Sequence, residues 1–264
     1  MPSPSPARIH EFTVVSNDAI AEDIYRLVLH APKLALALRP GQFVNIAVPG
    51  DASSLLRVPL SYYRVDADAG TVEIWYAVVG NDTDRLSKMV AGSASNLLGP
   101  GGHGWQVPAD CSRALLVAGG IGVPPVLCLA EELGRRGVSF DVCLGAATKD
   151  KVVGLDAFTA AGADKVVLCT DDGSAGEHGF CTEPAATLMR QGRYGYVASC
   201  GPAPMMEKVA HEAAENDIYC EVSLERMMSC GFGACNTCNV ETLDGMKGAC
   251  MCGPVFDASK VVVF

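Results

Sequence analysis

Basic residues are scarce in this chain of 264 residues. Twenty Lys and Arg stand against 30 Asp and Glu, a formal net charge of −10. Phosphodiester binding needs clustered Lys and Arg, so the balance argues against nucleic acid as the main partner and against a basic membrane surface. Charge of either sign is sparse at 19%, while 49% of residues are hydrophobic, which suits a full core and not a disordered chain. Long apolar runs are lacking too. The stretch Ala114–Ala130 is shorter than the roughly 20 residues a membrane span requires, and Gly-Gly and Pro-Pro break it. It reads as a strand, a turn and a buried helix. Residues 1–7, rich in Pro and Ser, have no apolar run and read as a frayed arm, not a targeting segment. There is no Ser/His/Asp triad, paired-carboxylate site, internal repeat or certain catalytic residue in the sequence.

Three regions remain. Residues 8–107 carry strand-like runs at Ile9–Val15, Ile24–His30, Phe43–Val48 and Thr71–Val79, separated by turn residues, with one helical stretch over Thr83–Val90 opened by Asp82. Short strands with turns between them predict a small antiparallel β-barrel. Residues 108–222 alternate apolar strands (Ala114–Ala118, Phe140–Leu144, Lys165–Cys169, Tyr194–Ser199, Ile218–Val222) with helical stretches after the first and fourth. That rhythm predicts an α/β nucleotide-binding domain with a parallel sheet, whose ligands sit at the carboxyl ends of the strands. Residues 223–264 are too few for a sufficient core of their own, and a metal centre is the natural substitute.

Cysteine is plentiful, with twelve in the chain, and five fall between Cys230 and Cys252. Twelve is too dilute for a disulfide scaffold of this length, and a reducing compartment follows. Four residues separate Cys230 from Cys235, two separate Cys235 from Cys238, and eleven separate Cys238 from Cys250. The first part is the plant-type spacing of a [2Fe–2S] cluster. Gly231 and Gly233 suit a loop that turns its amides inward. A structural zinc site is the rival, although zinc prefers two short knuckles. Cys252 competes with Cys250 as fourth ligand on spacing alone. The isolated Cys111, Cys128, Cys143, Cys169, Cys181 and Cys220 read as small core hydrophobes.

Two glycine turns each follow a strand and open a helix. Gly119, Gly120 and Gly122, running into Val123 and Pro124, form one; Cys200, Gly201 and Pro202 form the other. Such turns let backbone N–H groups reach a pyrophosphate, although tight strand–helix packing demands glycine as well. In the first region Arg57, Val58, Pro59, Leu60 and Ser61 precede Trp75, Tyr76 and Ala77 on a strand, then Gly80, Asp82 and Thr83 at a helix start. These offer a flavin an apolar wall, a donor and a phosphate site.

In this order the segments resemble the ferredoxin–NADP reductase superfamily. Within it they resemble the iron–sulfur flavoprotein electron-transfer subunits of NAD-dependent dihydroorotate dehydrogenases. The carriers are RVPLS at 57–61, GNDT at 80–83, LLGPGGHGW at 97–105, LLVAGGIGVPP at 115–125, TDDGSAGEHGF at 170–180, SCGP at 199–202, and the run from Ser223 to Asp257. The resemblance implies FAD along Val58–Ser61, with Ser61 near its N5, and Trp75–Ala77, Asp82 and Thr83 about its other parts. It also implies a dinucleotide pyrophosphate on Gly119–Pro125, and nicotinamide by Cys200 and Gly201. Cys230, Cys235, Cys238 and Cys250 would bind the cluster, Cys250 being preferred because the fourth ligand stands three residues before the Gly-Pro-Val-Phe run.

The chain departs from the family pattern at Val58, where many members carry arginine, and at Asp82, where a glycine is usual. His103 and Glu225 read as a loop histidine and a surface or structural glutamate. Asp171 and Asp172, with no arginine at Gly145–Lys149, favour NAD over NADP, against Lys149 and Lys151. Nicotinamide gives two electrons, a [2Fe–2S] cluster accepts one, and FAD mediates between them. The implied partner is an FMN-containing catalytic subunit in a cytoplasmic heteromeric complex of pyrimidine biosynthesis, docking near Gly231–Ala234. The alternatives are a subunit of a ferredoxin-linked, bifurcating or hydrogenase-type complex, and a zinc-stabilised binding module.

Overall fold

The computed structural model describes residues 7–50, 56–192 and 194–264; most of the N-terminal arm, residues 1–6, lies outside them. The first half builds β1 (Arg8–Ala21), β2 (Ile24–His30), the short helix α1 (Pro32–Ala35), β3 (Phe43–Ile46), β4 (Val58–Ser61), β5 (Arg64–Asp66), β6 (Thr71–Ala77), α2 (Asn81–Ser87) and β7 (Ala94–Gly101). The seven strands form one antiparallel sheet in the order β4-β3-β7-β1-β2-β6-β5. It curls round a core of Phe12, Leu27, Leu29, Ile46, Ile74 and Leu97. The alternation in β2 dictates this, since Leu27 and Leu29 point in with Tyr25 packed beside them, while Ile24, on the other face, joins the core of the second half and His30 is exposed.

Helix α2 begins two residues before the predicted Thr83 and stops at Ser87, short of Val90. The Thr83 hydroxyl explains the early start. It accepts hydrogen bonds from the backbone N–H groups of Val79 (2.9 Å) and Gly80 (3.1 Å), so Thr83 serves inside the first turn and Asp82 does not cap it.

The second half continues with β8 (Arg113–Gly119), α3 (Val123–Arg136), β9 (Ser139–Ala146), α4 (Leu155–Ala160), β10 (Lys165–Thr170), β11 (Glu177–His178), α5 (Thr182–Met189), β12 (Tyr196–Cys200), α6 (Ala203–Glu215) and β13 (Tyr219–Ser223). After them come β14 (Asn239–Thr242), β15 (Gly245–Gly248), α7 (Ala249–Cys252) and β16 (Val255–Asp257). The second sheet runs β11-β10-β9-β8-β12-β13-β16, parallel except for β16, which lies antiparallel against β13. The order reverses between β8 and β12, which makes their carboxyl ends the switch point where such sheets bind ligands.

Helix α3 joins the two halves. Prolines 124 and 125 fit its first turn, Arg135 and Arg136 favour the carbonyl end, and Gly137 closes it in a left-handed conformation. Its apolar side chains serve two cores. Leu127 and Leu133 pack on the parallel sheet, while Cys128 lies in the barrel core. Among the described residues no helix is long and apolar enough to cross a membrane.

Candidate functional site

The two glycine turns meet at the switch point. A Cβ on Gly122 would come 2.3 Å from the Cys200 carbonyl oxygen, and one on Gly119 would come 2.6 Å from Met205 Sδ. Gly122 is therefore required by packing between the turns, whereas at Gly119 the flexible Met205 side chain could shift, leaving Pro202 Cδ at 3.1 Å. Gly120 is different: its φ is +54° and the space a Cβ would enter is open. The Cys200 thiol hydrogen-bonds the Ser223 carbonyl at 3.4 Å, and burial pushes it up to about 12, so it stays a neutral thiol. Pro202 is exposed at the start of α6, and Val123 and Pro124 are buried.

Asp171 and Asp172 lie exposed beyond β10. Asp172 accepts from the Ser174 amide (3.0 Å) and hydroxyl (2.6 Å), which hold its carboxyl below the usual range. The Ser174 hydroxyl in turn accepts from the Lys149 amide at 2.8 Å, tying this loop to the one after β9.

In the barrel, Val58, Pro59, Leu60 and Ser61 are all half-buried on β4, an edge strand hydrogen-bonded to β3 alone among the described residues. An edge strand offers free N–H and C=O groups on its outer side, which suits the rim of a flavin ring. Arg57 turns away from that rim and donates to the Asn96 carbonyl (3.2 Å) and side chain (2.6 Å). Tyr76 is fully buried and donates to Asn17 at 3.1 Å, so only its backbone can face a ligand. Trp75 and Ala77 are half-buried, and Gly80 is exposed just before α2. Trp75 lines a cleft with Lys149, Gly154, Leu155 and Leu168, so this barrel residue faces the nucleotide sheet.

The cysteine loop follows β13. Gly231 and Gly233 both have positive φ, +76° and +85°. The eleven-residue spacer is a hairpin in which β14 pairs with β15, Asn239 opposite Gly248. That pairing returns the chain to its start: Ala249 N–H donates to the Cys238 carbonyl (2.9 Å) and Cys250 N–H to Cys238 Sγ (3.4 Å). Ala234 N–H donates to Cys230 Sγ at 3.3 Å.

Cys235 interacts with Cys230, and Cys250 with Cys238 and also with Cys230, so the four sulfurs share one neighbourhood. Hydrogen bonds from Thr237, then from Cys230, bring the exposed Cys235 thiol down to about 6, whereas burial and Cys238 push Cys250 up to about 12. Among the described residues no three His, Cys, Asp or Glu side chains converge as a single metal ion would require. Four cysteines at this spacing, gathered by one loop and the end of one hairpin, are the donor set of a two-iron centre. Cys252 is exposed, and so is Glu225. His103 is half-buried, and its backbone N–H donates to the Gly253 carbonyl at 2.5 Å. The six isolated cysteines are all buried.

Sequence reasoning missed three features at this site. The Trp105 indole donates to the Pro125 carbonyl at 2.9 Å, fixing the start of α3. Phe43, on the outer face of β3, packs in the core that also holds Cys238 and Cys250. Asn45, two residues on, abuts the cysteine loop. All three depend on contacts between segments far apart in the chain; only the apolar character of Phe43 and Trp105 hinted at burial.

An antiparallel flavin-type barrel, a switch-point nucleotide sheet and a paired-cysteine loop together define an electron-transfer flavoprotein of the ferredoxin-reductase type. The family model for the iron-sulfur cluster binding domain of dihydroorotate dehydrogenase B matches residues 225–262. The chain is 40% identical over 259 residues to the dihydroorotate dehydrogenase B (NAD(+)) electron transfer subunit of Geobacillus thermodenitrificans, covering 95% of this chain and 97% of that one. The subunit of the same name from Geobacillus kaustophilus is also 40% identical, with the same coverage. A solved structure of an NADH-dependent reduced ferredoxin-NADP oxidoreductase, described in the context of flavin-based electron bifurcation, superposes with a TM-score of 0.85. It is 30% identical and covers 99% of this chain and 91% of that one. The chain belongs to the family of dihydroorotate dehydrogenase B (NAD(+)) electron transfer subunits.

Proposed function

We propose that this chain carries electrons between NAD(H) and a partner subunit through FAD and a [2Fe–2S] cluster, the partner being an FMN-containing dihydroorotate dehydrogenase of pyrimidine biosynthesis. The observation that carries this reading is the return of Cys250 to Cys238 by the β14–β15 hairpin, beside the pair Cys230 and Cys235. When bound, FAD and the cluster supply the conversion of two-electron to one-electron transfer.

The chain's own residues position these groups. Val58, Pro59, Leu60 and Ser61 line the flavin ring with their backbone edge and with the outward side chains of Pro59 and Ser61, while Val58 and Leu60 anchor the strand to the barrel core. Trp75, Ala77 and the backbone of Tyr76 hold the rest of the cofactor, with Gly80, Asp82 and Thr83 at its phosphates. Arg57 holds β4 in place through Asn96. Gly120 leaves room for a pyrophosphate between turns whose spacing Gly119, Gly122 and Gly201 set. Val123, Pro124 and Pro202 shape its walls, and Cys200 offers a neutral thiol near the nicotinamide. Asp171 suits the ribose hydroxyls of NAD and repels the 2′-phosphate of NADP. Cys230, Cys235, Cys238 and Cys250 would hold the cluster.

Exposed Met227, Phe232 and Met251 surround the cysteine loop and give the partner an apolar docking face. The cytoplasm, a reducing compartment, suits the exposed thiol of Cys252.

The test is anaerobic purification with the partner. Flavin bands with a broad red shoulder, and about two irons and two acid-labile sulfides per chain, are the expected result. Cys235→Ser should keep NADH reduction of FAD and lose transfer to the partner, while Cys252→Ser keeps its iron. A colourless protein holding stoichiometric zinc would refute the reading. Co-purification with a ferredoxin-linked enzyme and no FMN protein would favour the bifurcating branch that the solved neighbour represents.

A further inference from the structure

Asn45 lies in the middle of β3, 2% exposed, and its Nδ2 finds no acceptor among the described residues. A buried donor left without an acceptor is costly, and folded proteins keep few of them. The direction of this side chain follows from the ladder, because directly opposite residues on antiparallel strands share a face. Val44 and Ile46 point into the barrel core, with their partners Leu60 and Val58 packed against it. Asn45 and its partner Pro59, and Phe43 and its partner Ser61, therefore point outward.

On that outward face the amide meets the cysteine loop. A Cβ built on Gly231 would lie 2.5 Å from Asn45 Nδ2 and 2.9 Å from Cγ. The side chain thus occupies the space that any larger residue at 231 would need, next to Cys230. The orphan donor is sealed between the strand assigned to the flavin and the loop assigned to the cluster. Thiolate and sulfide sulfurs accept N–H hydrogen bonds, and such bonds help to set a cluster's reduction potential.

We propose that Asn45 is a positioning and tuning residue for the iron–sulfur centre, donating Nδ2–H to a sulfur on its Cys230 side. The inference rests on the cluster reading above. The reduced centre carries one more negative charge than the oxidised one, so a donor to its sulfur stabilises the reduced form and holds the potential up. Asn45 thereby makes the step from flavin to cluster more favourable from the barrel side, without being a ligand.

The test is a redox titration of the native complex, following the cluster by electron paramagnetic resonance and FAD by visible absorbance. Asn45→Leu, of the same branched shape and without a donor, should lower the cluster potential and leave that of FAD unchanged. A tenfold shift in the flavin–cluster electron equilibrium would appear as about 59 mV for one electron. An unchanged cluster potential at full iron content overturns the proposal. So does a shift of the flavin potential in place of the cluster's, which would make the flavin the acceptor. Should Asn45→Leu lose iron, the isosteric pair Asn45→Thr and Asn45→Val replaces it, both being strand formers and only the first a donor. The cluster should titrate lower with valine than with threonine, and equal values overturn the proposal. Iron missing from the wild-type complex would sink the cluster reading itself, an outcome separate from these.

Discussion

Arg64 and Glu131 bind the barrel to the nucleotide sheet: Arg64 Nε donates to Glu131 Oε1 at 2.8 Å, and the Tyr63 hydroxyl donates to the same oxygen at 3.1 Å. Arg64 also lies over the Tyr63 ring, 4.8 Å from its centre. Glu131 is on α3, whose first turn adjoins the open glycine Gly120, so the clamp fixes the nucleotide turn relative to β4. Glu131→Ala should destabilise the protein by about 1 kcal/mol, a small value because Arg64 is half in solvent. It should also slow NADH reduction of FAD. Urea unfolding and stopped-flow absorbance measure the two, and wild-type values in both would remove the clamp from the account.

Two buried glutamates titrate with opposite signs. Burial alone would raise Glu73, but hydrogen bonds from Arg26 (2.6 and 2.9 Å) and Trp75 (2.8 Å) prevail and lower it. Its contribution to stability is therefore full above the ordinary value of 4.5 and fades as pH falls through the lower folded value. Glu221 is raised, because burial outweighs the hydrogen bonds from Tyr196 (2.6 Å), Gln106 N–H (2.8 Å) and Tyr219 (3.2 Å), and Asp257 adds to the rise. Its contribution is full below 4.5 and fades as pH rises through the higher folded value. Thermal unfolding from pH 3 to 8 should show a flatter acid limb in Glu73→Gln and a flatter rise-side loss in Glu221→Gln. The same slope change in both variants would contradict the assignment.

The glycines of the first turn separate packing from binding. Gly122→Ala drives a methyl group onto the Cys200 carbonyl and should cost several kcal/mol, with the two turns forced apart. Gly120→Ala meets open space and should cost only about 1–2 kcal/mol for its left-handed backbone. It should nevertheless raise the KM for NADH, since the methyl group enters the nucleotide crevice. Calorimetry and steady-state kinetics decide this; a Gly120→Ala enzyme with wild-type KM would place the dinucleotide elsewhere.

Much of the fold is legible because local pattern and tertiary role agree. Ile24–His30 is a strand in the sequence and in the structure, and the helical stretch after β8 is α3. The cysteine spacing is legible because a small inorganic centre leaves little freedom in loop length. The strands Val58–Ser61, Arg64–Asp66 and Ala94–Gly101 are not. The last ends Gly-Pro-Gly, which reads as a turn, and becomes a strand because β1 and β3 pair with it on either side. Asn45 reads as an ordinary polar residue in a strand, and its burial exists only once the loop at Gly231 closes over it. The clamp spans 67 residues of sequence and leaves no local trace.

The pairing of Ser223 with Val255 has a topological consequence. The chain leaves the parallel sheet and re-enters it at the same rung, so the entire iron-binding segment is spliced into what would otherwise be a plain edge hairpin. Joining those two rungs by a short turn would preserve every other hydrogen-bonded strand of that sheet. Such an excision would uncover the core that Cys238, Val240, Ala249 and Cys250 share with Leu115, Val117 and Phe43, so the segment is joined to the sheet at one rung yet roofs the packing beneath it.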